Sequence, residues 1–168
     1  MNITSYYEFQ HRPVIRSGAG THILVPDLIT GLGGKRPVLF SDKGLTEAGL
    51  TGKIESLFKM VPGIQLAGVF DDIQQDAKST NINKGVKFFK ECNADSIIAI
   101  GGGSVMDTAK TVKWCIFNKV DQIEYRMTGN LLEVWPQAKP FNIPHISLAT
   151  TAGTGAEIST ISVVYNEM

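Results

Sequence analysis

Residues 96–110, SIIAIGGGSVMDTAK, decide the fold. They open with a short apolar run rich in β-branched residues, which is typical of a strand buried on both faces. Three glycines follow: Gly101, Gly102 and Gly103. Glycines allow a sharp backbone turn and the close approach of another group. Ser104 and Asp107 then have the spacing of a capping box, which predicts that a helix begins there.

This order of elements places unpaired backbone N–H groups at the positive end of a helix, an arrangement that binds phosphate. The same turn also occurs as plain architecture without a ligand, and the sequence leaves both interpretations open. The usual dinucleotide fingerprint would need a third glycine where Met106 stands. A Walker loop would need its lysine directly after the last glycine, whereas Lys110 lies well inside the predicted helix.

Strand-like and helix-like segments alternate along the rest of the chain. Strands are predicted at residues 14–20, 37–42, 64–70, 96–100, 144–150 and 158–165. Helices are predicted at residues 21–32, 44–60, 79–92 and 104–117, with a polar arm at 1–12 and an irregular excursion at 118–142. The alternation predicts an α/β fold with a doubly wound, mostly parallel, Rossmann-like sheet in one domain of residues 1–168.

Ligands of such sheets bind beyond the carboxyl ends of the strands, near the point where the winding reverses. One of these ends is residues 150–157, TTAGTGAE, which carries Thr150, Thr151 and Thr154. Hydroxyls and glycines supply hydrogen bonds and close backbone approach without charge, which suits a pyrophosphate or a nicotinamide amide. The alternative is a loop whose hydroxyls bond its own backbone. Beside the glycine turn, this segment favours a cofactor site.

Asp42 ends another predicted strand and is the candidate contact for an adenosine ribose. Its carboxylate could accept hydrogen bonds from ribose hydroxyls and would repel a 2′-phosphate, which favours NAD over NADP. An Asx turn or a helix cap before Gly44 is the other interpretation. Asp107 is either the capping partner of Ser104 or a group that faces the cofactor, and Lys110 either aids the site or lies on the surface.

Composition excludes several classes of function. Sixteen basic and sixteen acidic side chains cancel, and no basic stripe indicates nucleic acid or an anionic membrane as a partner. No apolar run approaches the roughly 20 residues of a membrane helix, and the N-terminus lacks the apolar region of a signal peptide. Cys92 and Cys115 have no CxxC spacing, so we expect reduced thiols packed as small apolar residues in a cytoplasmic protein. His11, His22 and His145 lack metal-site spacing.

Two motifs together carry a family resemblance: GGGSxxDxAK at residues 101–110 and TTAGTGAE at residues 150–157. They resemble the iron-containing (group III) alcohol dehydrogenases, and residues 41–45 and 49–50 match that family's early strand, turn and helix. The resemblance implies an N-terminal α/β domain that binds NAD(P) and a C-terminal all-helical domain that holds iron, or sometimes zinc, through one aspartate and three histidines. That metal is implied to act as a Lewis acid on the substrate oxygen while hydride passes to or from the nicotinamide.

The resemblance also implies roles for individual residues. Asp42 would contact the adenine ribose. The pyrophosphate would be cradled by Gly102, Gly103 and Ser104. The cofactor cleft would be lined by Thr150, Thr151 and Thr154. Asp76-Ala77 departs from the family's Asn-Pro in the loop after Phe70-Asp71, which weakens one expected cofactor contact.

The implied function is the NAD-binding portion of a metal-dependent alcohol dehydrogenase acting on a primary alcohol, an aldehyde or a small diol. The sequence stops at Met168, before the family's helical domain, so we expect no metal ligands within it and no activity from this fragment. The alternatives are a stand-alone nucleotide-binding module without catalysis and part of a polyol or glycerol dehydrogenase. Iron or another divalent metal, and a homo-oligomer, are implied for the complete protein. No catalytic residue is assigned.

Overall fold

The predicted central strand has parallel neighbours on both sides. In this computed structural model, which describes residues 13–127 and 140–167, the strands are β1 Pro37–Phe40, β2 Gly68–Phe70, β3 Ser96–Gly101 and β4 His145–Ala149. Within the described ranges they form one sheet in the order β2-β1-β3-β4, and every neighbouring pair is parallel. β1 and β3 are buried along their whole length, as expected of parallel strands that are covered on both faces.

Helices cover both faces of the sheet, which confirms the doubly wound α/β fold. The described helices are α1 Val25–Gly31, α2 Lys43–Glu47, α3 Leu50–Met60, α4 Ser79–Glu91 and α5 Gly103–Asn118, with 3₁₀ turns at Thr21–Leu24 and Ile123–Arg126. On one face, α4 and α5 pack against Phe40, Ile97 and Ala99. On the other, α1 and α3 pack against Leu39 and Ile98. Alternate side chains of each strand therefore enter two separate cores.

The winding of the chain reverses between β1 and β3. From β1 the chain first adds β2 on one side, and then returns to add β3 on the other side of β1 and β4 beyond it. Such a reversal opens a crevice at the carboxyl ends of the two strands that flank it. The Ser41 hydroxyl, just after β1, donates to the Ile100 carbonyl at 3.0 Å. The ends of β1 and β3, which lead to Asp42 and Gly101, are thus tied together at this crevice.

Two predicted strands are wrong. Residues 14–17 are irregular and residues 18–20 form a bend and a turn, because Gly18 and Gly20 have positive φ and the Thr21 N–H donates to the Gly18 carbonyl. Residues 158–165 are rich in β-branched side chains but join no strand of the sheet, and their one ladder contact is an isolated bridge between Tyr165 and Lys78. β-Branched composition needs a neighbouring strand before it becomes a sheet.

Other predicted bounds need adjustment. The predicted helix at 44–60 is two helices, because Gly49 adopts the left-handed region with φ of 78° and separates α2 from α3. The predicted strand at 64–70 shortens to Gly68–Phe70, and the helix at 21–32 begins as a 3₁₀ turn. The predicted arm at 1–12 and residues 128–139 of the predicted excursion at 118–142 lie outside the described residues.

Both cysteines are free thiols, as expected. Cys115 lies on α5 and is completely buried in the core, and Cys92 is half-buried at the end of α4. Burial raises the pKa of the Cys115 thiol to about 12, so it packs there as a small apolar group. No helix in residues 13–127 or 140–167 is long and apolar enough to cross a membrane.

At the amino ends of β1 and β3, away from the crevice, the Asp95 carboxylate joins the two strands. Asp95 accepts hydrogen bonds from the backbone N–H groups of Lys35 and Arg36 at 2.9 Å each, and from the Ser96 hydroxyl at 2.7 Å. Burial raises the pKa of the Asp95 carboxyl, but the hydrogen bonds from Ser96, Arg36 and Lys35 outweigh it and hold the pKa below its ordinary value of 3.8. Asp95 therefore fixes the chain entering β1 against the chain entering β3.

Asp95→Ala should lower the free energy of unfolding by about 1–2 kcal/mol, because three donors lose an ionised acceptor. A depressed folded-state pKa means that this stabilisation is present above the unfolded-state pKa and is lost as pH falls through the folded-state pKa. In urea unfolding, the free-energy difference between the unmodified chain and Asp95→Ala should therefore be complete at pH 7 and smaller in acid. Asp121→Ala, which removes an exposed carboxylate, is the control and should cost less than about 1 kcal/mol.

Candidate functional site

The glycine turn leads directly from β3 into α5. Gly101 ends the strand, Gly102 is the N-cap, and the first helical hydrogen bond joins the Met106 N–H to the Gly102 carbonyl at 3.1 Å. The N–H groups of the first turn precede that bond and have no partner within the helix. No side chain caps this end of the helix. A 16-residue helix therefore presents its positive end at the crevice between β1 and β3.

The predicted capping box of Ser104 and Asp107 is wrong. The Ser104 hydroxyl oxygen instead accepts a hydrogen bond from the backbone N–H of Asp76 at 3.0 Å. Asp76 belongs to the loop after β2 and has a positive φ of 61°, a conformation that aspartate tolerates better than most residues. Because the Ser104 oxygen already accepts, its own O–H proton is left to donate to another group.

The Thr/Gly loop after β4 lies against the glycine turn. The Thr150 N–H donates to the Gly101 carbonyl at 3.0 Å, which continues the ladder between β3 and β4. A Cβ atom built on Gly102 would lie 2.8 Å from Thr151 Oγ1, and one on Gly103 would lie 3.2 Å from Thr154 Cγ2. The two loops can approach this closely only because neither position has a side chain. We call this contact between residues 101–103 and 150–154 the glycine–threonine seam.

The seam is open to solvent on its threonine side. Thr150, Thr151 and Thr154 are exposed, whereas Gly102 and Gly103 are half-buried. The Ala156 N–H donates to Thr154 Oγ1 at 3.3 Å, so the alternative of a hydroxyl that bonds its own loop applies to Thr154. The structure therefore brings both predicted motifs to the same edge of the sheet.

Asp42 lies at the end of β1, on the other side of the crevice. Its Oδ1 accepts a hydrogen bond from the Leu45 N–H at 2.9 Å, so Asp42 is the N-cap of α2. The helix cap that the sequence left open is therefore present. A capping carboxylate still has a second oxygen and its negative charge, and its strand neighbours the one that ends in Gly101.

Asp107 is anchored away from the helix end, by contacts that sequence reasoning missed. Its Oδ1 forms an ion pair with Lys110 at 2.8 Å, with the two side chains 15% and 19% exposed, and its Oδ2 accepts from the Val163 N–H at 3.0 Å. Lys110 also donates to the carbonyls of Ser159 and Ile161. We call this set the α5 clamp. The i,i+3 spacing could have suggested the ion pair, but no local signal indicates the backbone that it holds.

The described residues provide no metal centre. Within residues 13–127 and 140–167, no group of three or more His, Cys, Asp or Glu side chains could hold a metal ion. His145, on β4, is neutral near pH 7 because burial and the charges of Lys113 and Lys110 lower its pKa to about 3. These residues therefore do not fit the iron site of the resembled family, and no chemical step is assigned to a metal here.

This chain is similar to known alcohol dehydrogenases and to a related reductase over nearly its whole length. Alcohol dehydrogenase 4 of Saccharomyces cerevisiae is 27% identical over 165 residues, covering 98% of this chain and 41% of its own length. The structure of alcohol dehydrogenase from Oenococcus oeni matches with a TM-score of 0.81 and 28% identity over 97% of this chain and 41% of that one. Sulfoacetaldehyde reductase from Bifidobacterium kashiwanohense, solved in complex with NAD+, matches with a TM-score of 0.79 and 25% identity over 96% of this chain and 40% of that one.

The chain thus spans about two fifths of the length of these relatives. The model of the iron-containing alcohol dehydrogenase family matches residues 13–168. That match includes the strand, the glycine turn and the threonine loop described above. The chain therefore belongs to the iron-containing alcohol dehydrogenase family.

Proposed function

We propose that residues 1–168 form the dinucleotide-binding part of an NAD-dependent alcohol dehydrogenase. The reaction is hydride transfer between the nicotinamide and a primary alcohol, an aldehyde or a small diol. The observation that carries the proposal is the glycine–threonine seam, where Gly102 and Gly103 admit Thr151 and Thr154 at the positive end of α5. Membership of the family supports the reaction class.

The pyrophosphate is assigned to the first turn of α5. The N–H groups of Gly103, Ser104 and Val105 lie before the first helical hydrogen bond, and they point along the helix axis where an anion is stabilised. The Ser104 hydroxyl oxygen accepts a hydrogen bond from the Asp76 N–H, and its own O–H can donate to a phosphate oxygen. The bare Gly102 lets a phosphate approach the backbone. Neutral hydrogen-bond donors and the helix dipole therefore bind the pyrophosphate in this proposal, without a basic side chain.

The two ends of the cofactor are assigned to the two sides of the pyrophosphate. On the β1 side, Asp42 accepts hydrogen bonds from the adenosine ribose, and its charge disfavours a 2′-phosphate. On the β4 side, the exposed hydroxyls of Thr150 and Thr151 line the path of the nicotinamide half. NAD, when bound, supplies the hydride acceptor for alcohol oxidation. The chain's own residues bind and orient it.

The metal and most of the substrate pocket are assigned to sequence outside these 168 residues. Family relatives are about two and a half times as long as the matched part, since the match covers 41% of alcohol dehydrogenase 4, and the described residues contain no metal cluster. We therefore expect the 168-residue chain to bind NAD without oxidising alcohols, because positioning and charge stabilisation at the substrate oxygen are both missing.

Calorimetric titration of the 168-residue chain should show NAD binding and about tenfold weaker NADP binding, since about 1.4 kcal/mol of repulsion corresponds to a factor of ten. Asp42→Ser is the informative variant, because serine retains an N-cap oxygen for α2 while the charge is removed. It should leave the melting temperature nearly unchanged and bring the two affinities to within about threefold. Absence of NAD binding, or oxidation of ethanol or 1,3-propanediol by the chain alone, would contradict the proposal.

A further inference from the structure

Three charged side chains form an ion-pair cluster beside Asp42. Asp72, just after β2, contacts Lys43 Nζ of α2 at 3.5 Å through Oδ1 and Lys84 Nζ of α4 at 3.1 Å through Oδ2. One carboxylate oxygen therefore serves each lysine. The side chains of Lys43 and Lys84 are 70% and 59% exposed and that of Asp72 is 40% exposed, so the whole cluster is in contact with solvent.

The backbone fixes where this cluster lies. Asp72 forms an isolated antiparallel bridge with Asp42, the residue assigned to the adenosine ribose. The Asp72 carbonyl also accepts a hydrogen bond from Asn81 Nδ2 at 2.7 Å, which ties it to α4. Lys43 directly follows Asp42 in the chain. The two lysines and Asp72 thus lie at the adenosine end of the crevice, and the charges there sum to zero when Asp42 is included.

We infer that Asp72 is a coenzyme-specificity residue, which holds Lys43 and Lys84 so that neither cation is available to the 2′-phosphate of NADP. The inference rests on the proposed function, because Asp42 marks the ribose site only if the chain binds a dinucleotide. Asp42 repels the extra phosphate, and Asp72 removes the compensating cations. Discrimination between the two coenzymes is then the joint effect of a repulsive group and of a neutralised attractive one. NAD lacks the 2′-phosphate, so its affinity should depend little on whether Lys43 and Lys84 are neutralised.

Asp72→Asn tests this directly, because it removes the negative charge that neutralises Lys43 and Lys84 while keeping the backbone bridge. Exposed ion pairs contribute little to stability, so the variant should fold. In calorimetric titrations at low salt, NADP affinity should rise about fivefold while NAD affinity changes less than about twofold. The gain should disappear at high ionic strength, since exposed charges are then screened. Asp71→Asn is the matched control: it removes the same charge one residue earlier, from a carboxylate that takes no part in the described ion pairs.

A second variant does not depend on the Asn substitution. Replacing both lysines, K43Q with K84Q, in the otherwise unmodified chain should change NADP affinity less than about twofold, because Asp72 already occupies them. A large loss of NADP affinity there would overturn the inference, as would an equal gain from Asp71→Asn. An unchanged NADP to NAD ratio in Asp72→Asn, with NAD binding intact, overturns the inference alone. Absence of NAD binding by the unmodified chain overturns the proposed function and this inference together.

Discussion

Gly102→Ala should raise the Kd for NAD about thirtyfold, equivalent to about 2 kcal/mol. The added Cβ would lie 2.8 Å from Thr151 Oγ1, so the exposed Thr151 side chain must rotate or the glycine–threonine seam must widen. The methyl group would also cover the backbone that the pyrophosphate is proposed to contact. Gly102 has φ of −88° and ψ of −166°, which alanine adopts readily. Folding is therefore only slightly affected, and calorimetry with urea unfolding should separate the two effects.

Gly31→Ala is the matched control for that variant. Gly31 lies in α1, and a Cβ built there meets no other atom within 4 Å. Alanine at this helical position should leave NAD affinity unchanged and stabilise the chain slightly, because glycine is the poorer helix former. If Gly102→Ala bound NAD as tightly as the unmodified chain and Gly31→Ala, the pyrophosphate would have to lie elsewhere than at the seam.

Much of the crevice could be predicted from sequence because it depends on local pattern and chain order. The apolar run at residues 96–100 predicts a buried parallel strand, and the glycines after it predict a turn into a helix. The alternation of strands and helices then brings the carboxyl ends of the strands to one edge. These general rules predict that the ends of β1, β3 and β4 lie at the same edge of the sheet, and the structure confirms that placement.

The rest depends on tertiary partners that no local pattern contains. Ser104 and Asp107 have the spacing of a capping box, but the Asp76 N–H and the Val163 N–H, both distant in sequence, bond these side chains instead. Residues 158–165 have the composition of a strand, yet their backbone is held by the side chains of α5 and by the loop before α4. In both cases a long-range hydrogen bond has displaced the local preference.

Removing the α5 clamp should have a large effect on the stability of the chain. Asp107→Ala should lower the free energy of unfolding by about 2–3 kcal/mol, because it leaves the largely buried Lys110 ammonium without its anion and the Val163 N–H without its acceptor. Residues 159–163 should then detach from α5 and weaken the hold on the threonine loop that precedes them. Urea unfolding measures the first effect, and NAD titration measures the second.

A double-mutant cycle with Lys110→Met isolates the ion pair from the backbone contacts. Each single variant leaves one charge unpaired, whereas the double variant leaves none, so it should be more stable than the sum of the single losses predicts. We expect a coupling free energy of at least about 1 kcal/mol, as is usual for groups in direct contact. Additive losses would mean that solvent screens the pair, and that Asp107 stabilises the chain only as the acceptor for Val163. Only the coupled result separates the ion pair from a capping role, because a lost cap would weaken α5 by the same amount whether or not Lys110 is charged.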